Sequence, residues 1–238
     1  MENTTKLLIN HTFCHLMLIP AFLYGELWMF VASFFWWYVV AIVAISGGYH
    51  RYYSHFSFKA GKWYPWAVNI LGIFAGAGPA MTWAATHRQH HAHSDTDLDP
   101  HSHSVKGIWA VYVNTWGYGF KIKRRFIKRL LQDKVLRWFH KYYFHHNVAI
   151  IVVFTAIDPM LMIFGYAMPV VFAFHGYGIL NILGHRGAQP NNSWVANILT
   201  AGEGWHRNHH RRAGSYEIGQ KWWEFDPTKW FIKLIKTN

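Results

Sequence analysis

The chain has one cysteine, Cys14, in 238 residues. That excludes an intrachain disulfide and any cysteine-built zinc or iron–sulfur site. Acidic residues are scarce, 11 against 23 Lys+Arg, and only five of them are glutamates. A soluble di-iron bundle needs two Glu-x-x-His pairs and further glutamates, whereas Glu203 with His206 is the single such pair here. Charged residues make up only 14% of the chain, below the usual share in a soluble domain. The start, Met1 to Asn10, lacks a basic segment followed by an apolar stretch and a small-residue cleavage site. No cleaved signal peptide is expected, and the first apolar run serves as its own insertion signal.

Apolar and aromatic residues are abundant, at 52% and 19%. Four runs, residues 7–24, 27–49, 147–165 and 166–183, approach the roughly 20 residues a helix needs to cross a bilayer. Asp158-Pro159 interrupts the third. Trp63–Ala85 is read as an interfacial or partly inserted segment, because a full crossing would put His50 and His87 on opposite faces. Gly107–Phe120 is too short to span. Residues 50–146 and 184–238 then form polar blocks on one side of an integral, multi-pass membrane protein. The run Lys121-Ile122-Lys123-Arg124-Arg125 marks that side as cytoplasmic. The net charge of +12 is placed between apolar runs, so it points to loop placement, lipid headgroups or an acidic protein partner, and not to nucleic acid.

Histidine carries the chemistry. His87-Arg88-Gln89-His90-His91 and His206-Arg207-Asn208-His209-His210 repeat one pattern, and His50-Arg51-Tyr52-Tyr53-Ser54-His55 closes the second apolar run. Residues i, i+3 and i+4 share a helix face, so each H-x-x-H-H string can turn three imidazoles toward one site. The five-residue spacing of His50 and His55 fits a helix end where the backbone turns after Gly47-Gly48. Asn181 and His185, four apart, add an amide and a ninth imidazole. Neutral imidazole is a ligand for iron, copper, nickel and zinc, and this many donors suit two metals. Glu203 is expected to orient a ligand histidine or to cap the helix that follows. His93, His101 and His103 are expected to be solvent-facing or to support ligands. His140, His145 and His146 are expected at the interface, His11 and His15 away from the site, and His175 facing the interior. Trp36, Trp37 and Trp109 are read as packing or interface residues.

Gly47 through His55, His87 to His91, Asp95-Thr96-Asp97-Leu98-Asp99-Pro100-His101, Asn181 to His185, and Gly202-Glu203-Gly204-Trp205-His206 to His210 resemble the membrane-bound fatty acyl desaturases, most closely the stearoyl-type Δ9 branch. The likeness spans roughly Gly47 to Trp230. It implies an all-α membrane protein with four transmembrane helices under a cytosolic helical cap, forming a single desaturase domain over residues 1–238. It also implies two irons, cycling between Fe2+ and Fe3+, held by His50, His55, His87, His90, His91, His185, His206, His209 and His210, with Asn181 binding a water on one of them. The reaction implied consumes O2 and two electrons to make a cis double bond, at Δ9, in a saturated acyl chain. Members acting on acyl-CoA carry an Arg-Asp pair where this chain has Ala85-Thr86, so acyl-lipid and acyl-carrier-protein substrates stand beside acyl-CoA. Electrons would come from a separate ferredoxin or cytochrome b5 type protein. The alternatives are a related histidine-box hydroxylase of alkanes, sterols or carotenoids, and a metal-binding membrane transporter or sensor.

Overall fold

A computed structural model describes residues 3–113, 121–187 and 189–237. The chain opens with α1 (Asn3–Leu16), which continues into α2 (Leu18–Tyr24). After a turn at Gly25-Glu26, α3 (Leu27–Val40) runs into a 14-residue π-helix, Ala41–Ser54. Then follow α4 (Tyr64–Gly72), α5 (Ala80–His93), α6 (His103–Lys106), α7 (Ile108–Val113), α8 (Arg124–Ile127) and α9 (Lys134–Ile157). A second π-helical turn, Ile163–Ala167, joins α10 (Pro159–Met162) to α11 (Met168–Gly184), and α12 (Trp194–Leu199), α13 (His206–Arg211) and α14 (Pro227–Ile235) complete the helices. A two-residue antiparallel pairing of β1 (Lys59–Ala60) with β2 (Lys236–Thr237) ties the end of the chain back.

Among the described residues, three helices are long and apolar enough to cross a membrane: Thr4–Tyr24, Leu27–Ser54 and Pro159–Gly184. The first two match the apolar runs 7–24 and 27–49, the second reaching five residues further so that it includes His50. The boundary expected between residues 165 and 166 is a correction. The chain turns at Asp158, whose side chain accepts from the Met160 N–H, with Pro159 in the first helical turn. A capping carboxylate followed by proline starts a helix and cannot continue one. Residues 159–165 therefore belong to the returning arm. The apolar half of α9, residues 147–157, is about 16 Å long at 1.5 Å per residue, and its other half carries Lys134, Arg137, His140 and Lys141.

The Trp63–Ala85 stretch is broken by an 83° bend between Tyr64–Ala75 and Ala80–His93. Gly76 (φ +61°) and Gly78 (φ +81°) take left-handed conformations there, which cost glycine little. Of the Gly107–Phe120 stretch, residues 114–120 lie outside the described residues, and Ile108–Val113 is a six-residue helix.

The π-helix explains the first histidine string differently from the helix-end turn expected of it. Its hydrogen bonds run from residue i+5 to residue i, as in His55 N–H to His50 O, 3.1 Å. Residues five apart then lie on one face, which the sequence spacing requires. Gly47 and Gly48 serve close packing: a Cβ on Gly48 would stand 2.4 Å from Val68 Cγ1, and one on Gly47 would stand 2.7 Å from Tyr64 Oη. Both neighbours belong to α4, which thus lies directly on the π-helix. Gly48→Val should lower stability by about 1–3 kcal/mol through overpacking, read as a drop in the unfolding midpoint. An unchanged midpoint would mean that α4 does not press on this position.

Aromatics tie the spans together. Trp36 Nε1 donates to Gly165 O (3.0 Å) and Trp37 Nε1 to Leu199 O (3.3 Å). The Tyr166 hydroxyl lies 2.8 Å from the side-chain oxygen of Asn10 and 2.5 Å from that of Asn147, linking α1, α9 and the returning arm. Trp109 is 76% exposed.

Candidate metal centre

The upper end of the second span, α5, the end of α11 and α13 meet at one place. Their histidines form two groups whose ligand atoms lie within 4.8 Å of one another: His50, His55, His87, His91 and His209; and His90, His185, His206 and His210. The nine are those named from the sequence. In the first group His50 Nε2 lies 3.0 Å from His209 Nε2, His55 Nε2 lies 3.0 Å from His87 Nε2, and His209 Nε2 lies 2.8 Å from His91 Nε2. In the second, His206 Nε2 lies 2.9 Å from His185 Nε2 and 3.1 Å from His210 Nε2.

Neither H-x-x-H-H string serves a single group. His87 and His91 go to the first while His90 goes to the second; His206 and His210 go to the second while His209 goes to the first. This corrects the expectation that each string faces one site, and helix geometry is the reason. At about 100° per residue, positions i and i+4 diverge by about 40°, but i+3 and i+4 by a full 100°. Each short helix therefore stands as a wedge between two groups.

Three carboxylates hold imidazole Nδ1 atoms. Glu203 Oε2 lies 2.6 Å from His50 Nδ1, Asp99 Oδ2 lies 2.9 Å from His90 Nδ1, and Asp95 Oδ2 lies 2.9 Å from His185 Nδ1. A carboxylate at Nδ1 fixes the tautomer with the proton there, leaving the Nε2 lone pair free to bind a cation. Glu203 does not cap α13, which starts after Trp205 without a side-chain cap. Sequence reasoning gave no role to Asp95 or Asp99. The loop after the second string brings both round: Asp99 also accepts the backbone N–H of Asp95 (2.9 Å) and of His101 (3.0 Å), and Asp95 takes a left-handed φ of +58°. The alternating aspartates of Asp95-Thr96-Asp97-Leu98-Asp99 were the available signal.

Arg51, a spacer in the first string, was likewise missed. Its guanidinium is buried between Glu203 (3.1 Å) and Asp226 (3.0 Å) and donates to Tyr216 O at 2.6 Å. Ser46 donates to Glu203 from below. Burial alone would raise the Glu203 pKa, but His50 and Arg51 overcome it and bring the carboxyl down to about 2. It is an anion throughout the neutral range.

Burial, reinforced by the neighbouring imidazoles, pushes His206 and His209 well below the ordinary histidine range and His210 to about 3. These rings are neutral donors at pH 7. His90 Nε2 is buried with no hydrogen-bond partner among the described residues, although its Nδ1 is held by Asp99. A buried lone pair left without a proton donor is costly, and a metal cation at the meeting point would satisfy it. The all-nitrogen donor set fits a first-row transition metal. A pH dependence follows for the metal-free protein. In the unfolded chain these histidines protonate near pH 6.5, whereas in the folded protein they do so only lower, at about 3 for His210. Their contribution is therefore fully present above about pH 6.5 and is lost as pH falls toward 3. Unfolding midpoints of the chelator-treated protein should drop progressively below pH 6.5; a flat profile down to pH 4 would contradict the buried, neutral assignment.

The other histidines divide as follows. His101 stacks on His90 (4.5 Å between centroids) and, with His90 and Asp99, makes a third group of possible donors. His93 meets Arg125 at 3.0 Å. His11 Nε2 approaches Gly76 O (3.1 Å), away from the nine. His175 is exposed on the outer side of α11, its Nε2 3.1 Å from His15 Nε2, which corrects the expected inward orientation. The i+4 run from His11 to His15 turns α1 toward that side. His146 packs on Trp138 and Phe139.

A cavity of about 430 Å³ reaches the imidazoles, within the usual range for a ligand site. Its lining is mostly apolar, with Leu7, Ala173, Phe174 and Tyr177, and includes His50, His87, His206, Glu203 and Asn181. Asn181 sits one turn before His185. Thr86 faces the cavity, and Ala85 is fully buried.

Residues 26–233 match the family model described as fatty acid desaturase. The chain is 30% identical over 234 residues to an sn-1 stearoyl-lipid 9-desaturase of Anabaena variabilis, covering 89% of this chain and 86% of the relative. It is 32% identical over 238 residues to an sn-1 stearoyl-lipid 9-desaturase of Synechocystis sp., covering 94% and 74%. It is also 30% identical over 231 residues to an acyl-CoA C20 Delta5-desaturase of Anemone leveillei, covering 86% and 73%. These matches set aside the transporter and sensor reading. With two imidazole groups lining one largely apolar cavity, and spans long enough to hold them at a bilayer, the chain belongs to the fatty acid desaturase family of membrane-bound oxidoreductases.

Proposed function

We propose that this protein desaturates acyl chains carried by a membrane lipid, placing a cis double bond at or near C9. The balance is one –CH2–CH2– unit, O2, two electrons and two protons giving –CH=CH– and two waters. The observation that carries the reading is the largely apolar cavity lined by imidazoles of both groups, His50 and His87 of one and His206 of the other. An unactivated methylene has no acidic proton and no leaving group, so side-chain acid–base chemistry cannot begin the reaction. Two irons, one per group, would supply the O2-activating redox chemistry that side chains lack. His50, His55, His87, His91 and His209 would hold one; His90, His185, His206 and His210, with Asn181 through a water, the other.

The remaining work falls to the chain itself. Glu203, Asp99 and Asp95 keep three imidazoles in the tautomer that presents Nε2 inward. Leu7, Ala173, Phe174 and Tyr177 hold an extended acyl chain away from water, and a dry site protects a reactive oxidant from side reactions. The uncharged Ala85-Thr86, one buried and one facing the cavity, favours a lipid carrier over acyl-CoA, as do the names of the cyanobacterial relatives. Four arms would be embedded: Thr4–Tyr24, Leu27–Ser54, the apolar half of α9, and Pro159–Gly184. The nine histidines would lie on the cytoplasmic side, where Lys121, Lys123, Arg124 and Arg125 also lie. A separate acidic donor, a ferredoxin or cytochrome b5 type, would dock on that basic face.

Expression in a host unable to make unsaturated acyl chains, with the double bond located by mass spectrometry, tests this. Cis monoenes at C9 of lipid-bound chains are expected. Hydroxylated chains without monoenes would replace the reading with a hydroxylase.

A further inference from the structure

The stretch from Lys221 to Lys236 sorts its side chains by sign. Its two carboxylates turn inward: Glu224 accepts the backbone N–H groups of Gln220 (2.6 Å) and Lys221 (3.0 Å), and Asp226 is fully buried beside Arg51. Its tryptophans turn outward, as do Lys221, Lys233 and Lys236, whereas Lys229 is half-buried and donates to Gly219 O (2.8 Å). Trp222 is 91% exposed and Leu234 86%, with Trp223, Phe225 and Trp230 also exposed. Lys221 lies over the Trp223 ring at 4.9 Å; Lys233 on α14 pairs at the surface with Glu217 (3.0 Å), and Lys236 of β2 donates to the Tyr216 hydroxyl (2.9 Å).

This surface adjoins the spans. Thr228 of α14 lies beside Gly47 of the second span, and Phe231 packs on Tyr64. The Phe225 carbonyl accepts from Asn197 (2.8 Å) and from Trp205 (2.9 Å), which joins the stretch to α12. The outer face of α12 is apolar too, with Trp194, Val195 and Ile198 all at least half exposed. That helix packs on α11, and Trp37 of the second span bonds its last carbonyl, at Leu199. Aromatics and lysines on one face, beside the ends of membrane spans, are the chemistry of the headgroup layer.

We propose that residues 221–236, with the outer face of α12, form a seat that lies in the headgroup layer and binds anionic lipid. The aromatics enter the layer and the exposed Lys221, Lys233 and Lys236 hold phosphate headgroups. The seat is independent of the chemistry at the histidines, although Asp226 connects the two: it caps α14 (Lys229 N–H, 2.9 Å) and pairs with Arg51 next to His50. It would thus set the height of the centre above the bilayer.

The test uses the full chain in nanodiscs, with Leu234→Cys carrying an environment-sensitive thiol label; the native Cys14 is fully buried. Brominated phosphatidylglycerol should quench the label at a lower mole fraction than brominated phosphatidylcholine. Each of Lys221→Gln, Lys233→Gln and Lys236→Gln should weaken that preference about fivefold. A label unquenched by either lipid would overturn the seat. Equal quenching by both, unmoved by the lysine changes, would overturn the anionic ligand. Protection of the label by an acidic ferredoxin but not by phosphatidylglycerol would make the surface a protein-docking site instead.

Discussion

Replacing His90 with alanine is expected to abolish double-bond formation and to lower bound metal from two equivalents to one or fewer. The ring stands alone in its string in facing the four-imidazole group, its Nδ1 is held by Asp99 at 2.9 Å, and its Nε2 is buried with no hydrogen-bond partner among the described residues. Alanine removes one of the four donors of that group. Asp99→Asn should act through the same ring, reducing metal affinity by about 10–100-fold while the protein stays in the membrane. Elemental analysis of purified protein, paired with the acyl-chain profile of the host, reads both. Full metal content and monoene formation in His90→Ala would take His90 out of the centre.

The second large effect is expected at Arg51. Its guanidinium is 1% exposed and sits between Glu203 and Asp226, themselves 3% and 0% exposed. Arg51→Met would leave two buried carboxylates without their cation, and breaking a buried pair from one side costs about 3–5 kcal/mol. Asp226 also accepts from Ile218 and Gly219 backbone N–H groups (3.1 and 3.0 Å), so the loop before α14 should loosen with it. Lys233→Gln is the control: its partner Glu217 is 42% exposed and the lysine 49%, and exposed, solvent-screened pairs contribute little. Unfolding midpoints in one detergent compare the two. Equal, small shifts would mean that the arginine cluster holds little of the fold together.

Much of this site could be read in the sequence because its donors are one residue type in spaced strings. All nine histidines named from spacing and resemblance converge, and Glu203 lies 2.6 Å from a ring nitrogen of His50. Residues whose role depends on chain reversal stayed hidden. Asp95 and Asp99 meet their rings only because a left-handed turn folds the loop back, and Asp226 reaches Arg51 from 175 positions away. The first string misled for a different reason: a regular 3.6-residue helix cannot align positions five apart, and a long π-helix is too rare to expect from spacing alone. The third and fourth apolar runs were divided in the wrong place because hydropathy runs smoothly across residues 147–183, while the turn is set by one capping carboxylate and one proline.

The wedge arrangement of α5 and α13 has a mechanical consequence. Because each helix sends neighbouring rings to both groups, neither group of imidazoles can shift without dragging the other. The separation of the two groups is set by two short, rigid coils. Adjusting one member of the pair by mutation should therefore always register at its twin.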